Sequence, residues 1–183
     1  MKSFACVGLL LMLLLLASPA CLAASPESNS LAAVALYIDT SGHYVPGIDM
    51  LNKALNEVIR FKINALFLGS EVQSGNEVLR DLDRCGIATA ADASPESLSA
   101  YGDARHVNYI LLLSVHPLDI SMDLKAYSTV DHSYIIDKTL TRPDGSEALS
   151  TLDALSNLVG GGLTDVLQTI RTSLAGTPEP AAG

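Results

Sequence analysis

Three short, strongly apolar stretches in the chain predict strands, and the first of them is predicted to be buried on both faces of a sheet. They are Leu31–Ile38, Asn64–Ser70, which closes on a glycine and a serine, and Val107–Val115. A continuous apolar run is typical of a buried strand, because a half-exposed strand alternates with polar residues. Val107–Val115 is the most apolar of the three, which predicts that it occupies the centre of the sheet.

Apolar residues at three- and four-residue spacing predict helices between these strands. The first such stripe consists of Ile48, Leu51, Leu55, Val58 and Ile59. A second, shorter helix is predicted over Asn76–Gly86, where the glycine suits a positive φ at the helix end. A third begins with Ser94 as N-cap and Pro95 at the first helical position, a strong start signal.

The pattern changes to strict alternation from Ile120 onward, which predicts a half-exposed antiparallel hairpin. One face of the first strand carries Ile120, Met122, Leu124 and Ala126, and the other carries Ser121, Asp123, Lys125 and Tyr127. The second strand is Ser133–Leu140, after a tight connection at Asp131 and His132. This turn pair lacks the favoured glycine, so the sequence leaves the register open.

A last helix is predicted over Glu147–Leu174, but Gly160–Gly162 interrupts its apolar stripe. Each glycine costs about 1 kcal/mol against alanine in a helix interior, which argues against one straight helix. Either the glycines form a phosphate-cradling loop before Leu163, or they mark a hinge or a close approach to the sheet. A phosphate loop needs Lys and Ser or Thr directly after the glycines, so the second interpretation is favoured.

Together these elements predict one α/β domain over residues 31–174, with a mixed sheet of about five strands and about four helices. Residues 25–30 have the composition of a polar linker, and residues 175–183 that of a disordered tail.

Residues 1–24 have the pattern of a secretory signal peptide. Lys2 gives a positive start, Val7–Ala17 is apolar, and Ser18-Pro19-Ala20 breaks the helix ahead of small residues. The apolar run is shorter than the roughly 20 residues that span a bilayer. We therefore expect an exported protein without a transmembrane helix, in the periplasm or associated with the cell envelope.

The cysteines leave two alternatives for the N-terminus. Cys21 could be lipidated, but the residues before it lack the usual leucine, so cleavage after Ala23 or Ala24 is favoured. In the second case Cys6 and Cys21 are both removed, and Cys85 is the only remaining cysteine. The prediction is then a half-buried structural thiol and a domain without an intramolecular disulfide.

The charge balance makes nucleic acid an improbable class of partner. Lys and Arg number 11 against 20 Asp and Glu, for a net charge of −9, and the leader removes only Lys2 from this balance. Such a surface repels phosphate backbones and anionic lipid headgroups.

The stretch Tyr37–Tyr44, with Asp39 directly after an apolar run, is the first candidate for chemistry. An aspartic protease needs glycine two places after the aspartate, where Ser41 stands, and an adhesion-type metal motif needs a serine where His43 stands. A side chain that bonds nearby backbone N–H groups explains Asp39 better. As weak candidates for contact with a ligand or partner we keep Asp39, Ser41, Gly42, His43 and, on the hairpin, Tyr127.

No other motif predicts catalysis, and neither a metal nor a cofactor is expected. The histidines, His43, His106, His116 and His132, have no zinc-ligand spacing. No serine sits in a Gly-x-Ser-x-Gly elbow.

The order of elements resembles bacterial envelope proteins of the TolB amino-terminal-domain type. In that type a first strand ends in a turn matched here by Tyr37, Asp39, Ser41 and Gly42, and a later strand is matched by Val107–Leu111. Curli-secretion lipoproteins and lipoprotein activators of penicillin-binding proteins share the general shape. The resemblance implies a non-enzymatic α/β sandwich that binds other envelope proteins, often in a larger assembly. The missing Thr-Gly in the hairpin and the triple glycine depart from the pattern.

Two hypotheses about function follow. The leading one is an exported, non-catalytic envelope module that binds a protein partner or self-associates through its hairpin edge. The alternative is a small-molecule-binding or hydrolytic domain at Asp39–Tyr44, with Gly160–Gly162 as a wall, because open α/β sheets bind ligands beyond the carboxyl ends of their strands.

Overall fold

The fold is a mixed five-stranded sheet between two layers of helices, in the order β2-β1-β3-β4-β5. The computed structural model describes residues 30–67, 72–142, 144–145 and 148–176. The strands are β1 (Ser30–Ile38), β2 (Val72–Ser74), β3 (Val107–His116), β4 (Ser121–Ser128) and β5 (Ser133–Thr141). The helices are α1 (Ile48–Phe67), α2 (Asn76–Arg84), α3 (Pro95–Arg105) and α4 (Thr151–Gly176). This architecture confirms the predicted α/β class with about five strands and four helices.

The two apolar strands β1 and β3 pair in parallel at the middle of the sheet. Ala33 lies opposite Ile110, and Leu36 opposite Leu113. Both strands are buried along most of their length, because helices cover both faces. Val107–His116 is therefore the central strand, as predicted.

Each face of the sheet has its own apolar core. On the first face α1 and α4 pack over β1, β3 and β4, through side chains such as Leu55 and Val159. On the second face α2 and α3 pack over β1 and β3, through side chains such as Leu82 and Leu98. None of the helices in the described ranges has the length and apolar character needed to cross a bilayer.

The hairpin forms as predicted, and β5 is the edge strand of the sheet. Asp123 pairs with Thr139 and Lys125 with Asp137, and the ladder is irregular between Ala126 and Tyr127. The partner residue of Ala126 is Ile136 and that of Tyr127 is Tyr134, so Ile135 is the extra residue of a bulge.

The prediction of a strand at Asn64–Ser70 is wrong. Residues 64–67 are the last turn of α1, and residues 68–71 lie outside the described ranges. The buried stripe of α1 continues one turn further, to Ile63, and Leu66 packs against the same core, so the helical period extends into the apolar run. The second strand is instead the short Val72–Ser74.

Helix α4 is unbroken through its three glycines, contrary to the expected interruption. A Cβ on Gly162 would lie 2.8 Å from Met122 Cε and 2.9 Å from Leu140 Cδ1, so α4 approaches the sheet closely there. A Cβ on Gly160 would lie 3.3 Å from Lys62 Cε of α1. Tertiary packing on two sides therefore outweighs the low helix propensity. This is the close approach that the favoured interpretation predicted.

Cys85 corrects a further expectation, because it is disulfide-bonded. The prediction of an unbonded thiol is therefore wrong, whereas the predicted half-buried position of Cys85 is confirmed. The signal peptide, the linker up to residue 29, Cys21 and the tail beyond residue 176 lie outside the described residues.

Candidate functional site

Helices α2 and α3 leave part of the second face uncovered. The covered part is apolar and includes Ala33, Ala35, Ile110, Leu112 and Tyr127. Beyond it, where β1 and β3 end, the sheet carries polar side chains that no helix core encloses. Asp39, His116, Asp123 and Thr139 contact one another there, and we call them the strand-end cluster.

His116 lies between two carboxylates of this cluster. Its Nδ1 is 3.5 Å from Asp39 Oδ2, and its Nε2 is 3.0 Å from Asp123 Oδ2. A neutral imidazole can donate from only one ring nitrogen, whereas an imidazolium can serve both carboxylates. Both ring nitrogens of His116 thus face carboxylates.

Asp123 is held in its charged form. The Thr139 hydroxyl donates a 2.6 Å hydrogen bond to Asp123 Oδ1. This bond, followed by the hydrogen bond and charge of His116 and the charge of Lys125, lowers the pKa of Asp123 below its ordinary value. The carboxylate therefore adds a negative charge to the open part of the sheet.

Asp39 has the structural role that the sequence predicts. Its Oδ1 accepts a 2.7 Å hydrogen bond from the Ser41 backbone N–H. Ser41 and Gly42 both have positive φ, at 51° and 77°. The carboxylate thus supports a tight left-handed turn at the end of β1. Ser41, Gly42 and His43 are exposed in this turn.

Tyr127 does not lie on a solvated face and is not available to a partner. Its side chain is buried, and its hydroxyl donates to the Pro95 carbonyl at 3.1 Å and lies 2.8 Å from Ser99 Oγ. Its ring packs edge-on against Tyr134, with centroids 5.3 Å apart. The alternation of β4 placed Tyr127 on the correct face, but α3 covers this end of that face.

The histidines do not converge on one site. His106 is the left-handed C-cap of α3. His132 lies in the β4–β5 turn, where its Nδ1 is 3.1 Å from Ser99 Oγ, and His43 lies in the exposed turn after β1. Within the described ranges, His, Cys, Asp and Glu side chains form no group of three that could hold a metal ion.

An apolar cavity of about 430 Å³ opens at the same end of the sheet, on the first face. Val45, Met50, Pro117, Leu118 and Leu152 contribute to its lining. Met50 and Leu118 are exposed at its mouth, at 71% and 55%.

Gly160–Gly162 does not form the wall of this cavity that the alternative hypothesis requires. Gly160 and Gly161 line a separate groove of about 520 Å³ between α1 and α4, and Gly162 faces the sheet.

Strand β5 presents an open edge beside the strand-end cluster. Among the described residues only β4 pairs with it. Ile136 and Leu140 point to the first face and pack against the main core, while Asp137 and Thr139 point to the second face. Lys138 Nζ lies 3.7 Å from Asp165 Oδ2 of α4, so this helix holds the edge strand in place.

The sequence could not reveal the strand-end cluster, although it contained part of the signal. Alternation placed Asp123 on the polar face, and Asp39 and His116 each follow an apolar run. Bringing Thr139 and His116 to Asp123 depends on the register of the hairpin and of β3 with β4, which the turn residues leave undetermined.

Comparisons with known proteins add structural likenesses of low identity. No family model and no curated protein matches the chain. The chain is similar to the PelC dodecamer from Paraburkholderia phytofirmans, with 11% identity and a TM-score of 0.45 over 76% of this chain and 87% of that one. It is also similar to TolB from Acinetobacter baumannii, with 12% identity and a TM-score of 0.43 over 83% of this chain and 30% of that one. The resemblance to TolB found in the sequence is thus matched by a solved structure. At these identities and TM-scores it carries no argument about function or assembly.

Proposed function

We propose that this protein is an exported, non-catalytic envelope module that binds another protein through the free edge of β5. The observation that carries the proposal is a nine-residue strand with an exposed outer side at the edge of the sheet. Such an edge presents backbone N–H and C=O groups to which a further strand can add.

The support beneath β5 favours docking over disorder at this edge. Ile136 and Leu140 are packed against the main core, and Tyr134 packs edge-on against buried Tyr127. A preformed strand loses little conformational freedom on binding, which favours affinity. The opposite edge, β2, has three residues and offers a much shorter template.

The polar side chains near this edge have structural partners that support a non-catalytic role. Asp39 bonds the Ser41 backbone, Asp123 accepts from Thr139, and His116 lies between the two carboxylates. The Ser99 hydroxyl is shared between Tyr127 and His132. Each group holds one element to another instead of facing a cavity.

A site-specific photocrosslinker tests the proposal in the native envelope. We expect a crosslinker at Ile135, which is on β5 and 36% exposed, to give a discrete protein adduct. The matched control is Phe61 on α1, which is 70% exposed but lies away from the edge. Adducts from Phe61 with none from Ile135 would contradict docking at β5.

The cavity of about 430 Å³ favours a second candidate, the binding of a small apolar molecule at the strand ends. Its size and largely apolar lining are typical of a ligand pocket. Leu118→Glu places a charge at the mouth and should abolish ligand-induced thermal shifts, whereas Asp39→Ala, outside the lining, should preserve them. Equal shifts in both variants argue against this site.

A further inference from the structure

We infer that the segment that adds to β5 is an amphipathic strand with Lys or Arg at alternate positions and apolar residues between them. This inference rests on the proposed docking at β5 and specifies the chemistry of the partner. This partner is inferred because an added strand would continue both faces of the sheet at β5, of which the second is acidic and the first is apolar.

The second face requires cationic side chains in the partner. A strand beside β5 places alternate side chains about 5 Å from Asp137, the directly opposite neighbour on that face. Asp137 is exposed, and the carboxylates of Asp123 and Asp39 continue the same open surface inward. Lys125, across the ladder from Asp137, and an imidazolium at His116 would together supply two positive charges against these three carboxylates. The surface therefore keeps an excess of negative charge.

The first face requires apolar side chains at the intervening positions. Ile136 and Leu140 lie there, partly buried against the core beneath α4. Lys138, between them, is already near Asp165 at 3.7 Å, so it does not call for an anionic partner. Apolar residues on this side of the added strand would extend the main core by one strand.

A second copy of this chain fits the edge poorly. Two β5 strands related by a twofold axis pair antiparallel, and the register that pairs all nine residues places Asp137 opposite its own copy. Like charges directly opposite are destabilising, and each chain carries a net charge of −9. The partner with complementary charge is therefore a different, basic segment.

Peptide probes and a charge reversal test this inference. The probe is a capped nine-residue peptide in which Val alternates with Lys; the controls are a Val/Glu peptide and a peptide with the same Val and Lys residues in two blocks. We expect the alternating Val/Lys peptide to bind tightest and to slow amide hydrogen exchange along β5. Asp137→Lys should weaken its binding by about three- to tenfold and strengthen binding of the Val/Glu peptide.

The matched control for net charge is Asp103→Lys, an exposed carboxylate on α3. Asp103→Lys should change the affinities for the Val/Lys and Val/Glu peptides by less than about twofold at moderate salt, because distant exposed charges are screened. Asp137→Asn should fall between wild type and Asp137→Lys, and the melting temperature of each variant shows that it is folded.

The outcomes separate this inference from the proposed function. The cationic partner is wrong, and docking at β5 stands, if the Val/Glu peptide protects β5 as well as the Val/Lys peptide does. The same conclusion follows if Asp137→Lys and Asp103→Lys change the affinity for the Val/Lys peptide equally. If no peptide protects β5 and Ile135 gives no crosslink, both are wrong.

Discussion

Thr139 and Asp123 lie opposite each other on β5 and β4, and the Thr139 hydroxyl donates a 2.6 Å hydrogen bond to Asp123 Oδ1. This bond is the largest cause of the lowered pKa of Asp123. It connects the edge strand to the strand-end cluster, so its removal should change how Asp123 titrates in acid.

Thr139→Val should raise the pKa of Asp123 toward its ordinary value of 3.8. A carboxyl pKa that is lower in the folded state adds stability above the unfolded value, and this stability is lost as pH falls through the folded value. The variant should therefore lose less stability than wild type on acidification below about pH 4. Carboxyl NMR titration and urea unfolding at two pH values measure both effects. Thr141→Val on the same strand is the control. An equal shift of the Asp123 pKa in that variant would contradict the assignment of the lowered pKa to the Thr139 hydrogen bond.

Two glycine-to-alanine substitutions should change the free energy of unfolding in opposite directions. Gly161 has open space around its Cβ position, so Gly161→Ala should raise the free energy of unfolding by about 0.5–1 kcal/mol. In α3, a Cβ on Gly102 would clash with the Thr129 side chain and lie 3.2 Å from the Val107 carbonyl oxygen. Gly102→Ala should therefore cost about 1–3 kcal/mol. Chemical denaturation compares them, and stabilisation by Gly102→Ala would show that α3 lies further from the β4–β5 turn.

Two buried tyrosines should respond differently to loss of their hydroxyls. The Tyr101 hydroxyl is buried without a hydrogen-bond partner among the described residues. Tyr101→Phe should thus leave stability within about 0.5 kcal/mol of wild type or raise it. Tyr127→Phe should cost about 1–2 kcal/mol, since its hydroxyl bonds both Ser99 and Pro95. Equal losses of stability in the two variants would mean that the Tyr101 hydroxyl has a hydrogen-bond partner, such as a bound water.

Stability should fall steeply at alkaline pH because of Tyr37. Burial, followed by the nearby charges of Asp92 and Asp83, raises the pKa of Tyr37 from 10.0 to about 12. A pKa raised in the folded state contributes stability that is fully present below about pH 10 and is lost as pH rises toward 12. Urea unfolding at pH 9 and pH 11 should show a smaller decline for Tyr37→Phe than for wild type. A decline of equal size would assign the loss to other groups, among them Tyr101, whose pKa is also raised to about 12 by burial.

The strands β1 and β3 and the hairpin could be predicted because their apolar period matches their final burial. The second strand could not, since a short apolar run at the end of a helix resembles a buried strand. Ile63 continues the α1 stripe at four-residue spacing from Ile59 and is buried, so the helical signal extended to the edge of that run. Local propensity also failed at Gly160–Gly162, where contacts with α1 and the sheet decide the outcome.

For the candidate site, local chemistry was predictable and long-range pairing was not. The backbone bond of Asp39 followed from its position after a strand, and it involves residues two apart. The neighbours of Asp123 come from 7 and 16 residues away along the chain, and only the strand register brings them together. Alternation placed Tyr127 on the correct face, but its burial was not predictable, because the sequence does not show which end of the second face α3 covers.

The position of α4 at the end of the described chain has a consequence for biogenesis. The helix that packs on β4 and β5 is synthesised after the strands it supports. Until it arrives, Met122, Leu124 and Leu140 have no cover on the first face. During synthesis the chain therefore passes through a stage in which the apolar first face of the hairpin is exposed, and this is when the chain is most prone to aggregate.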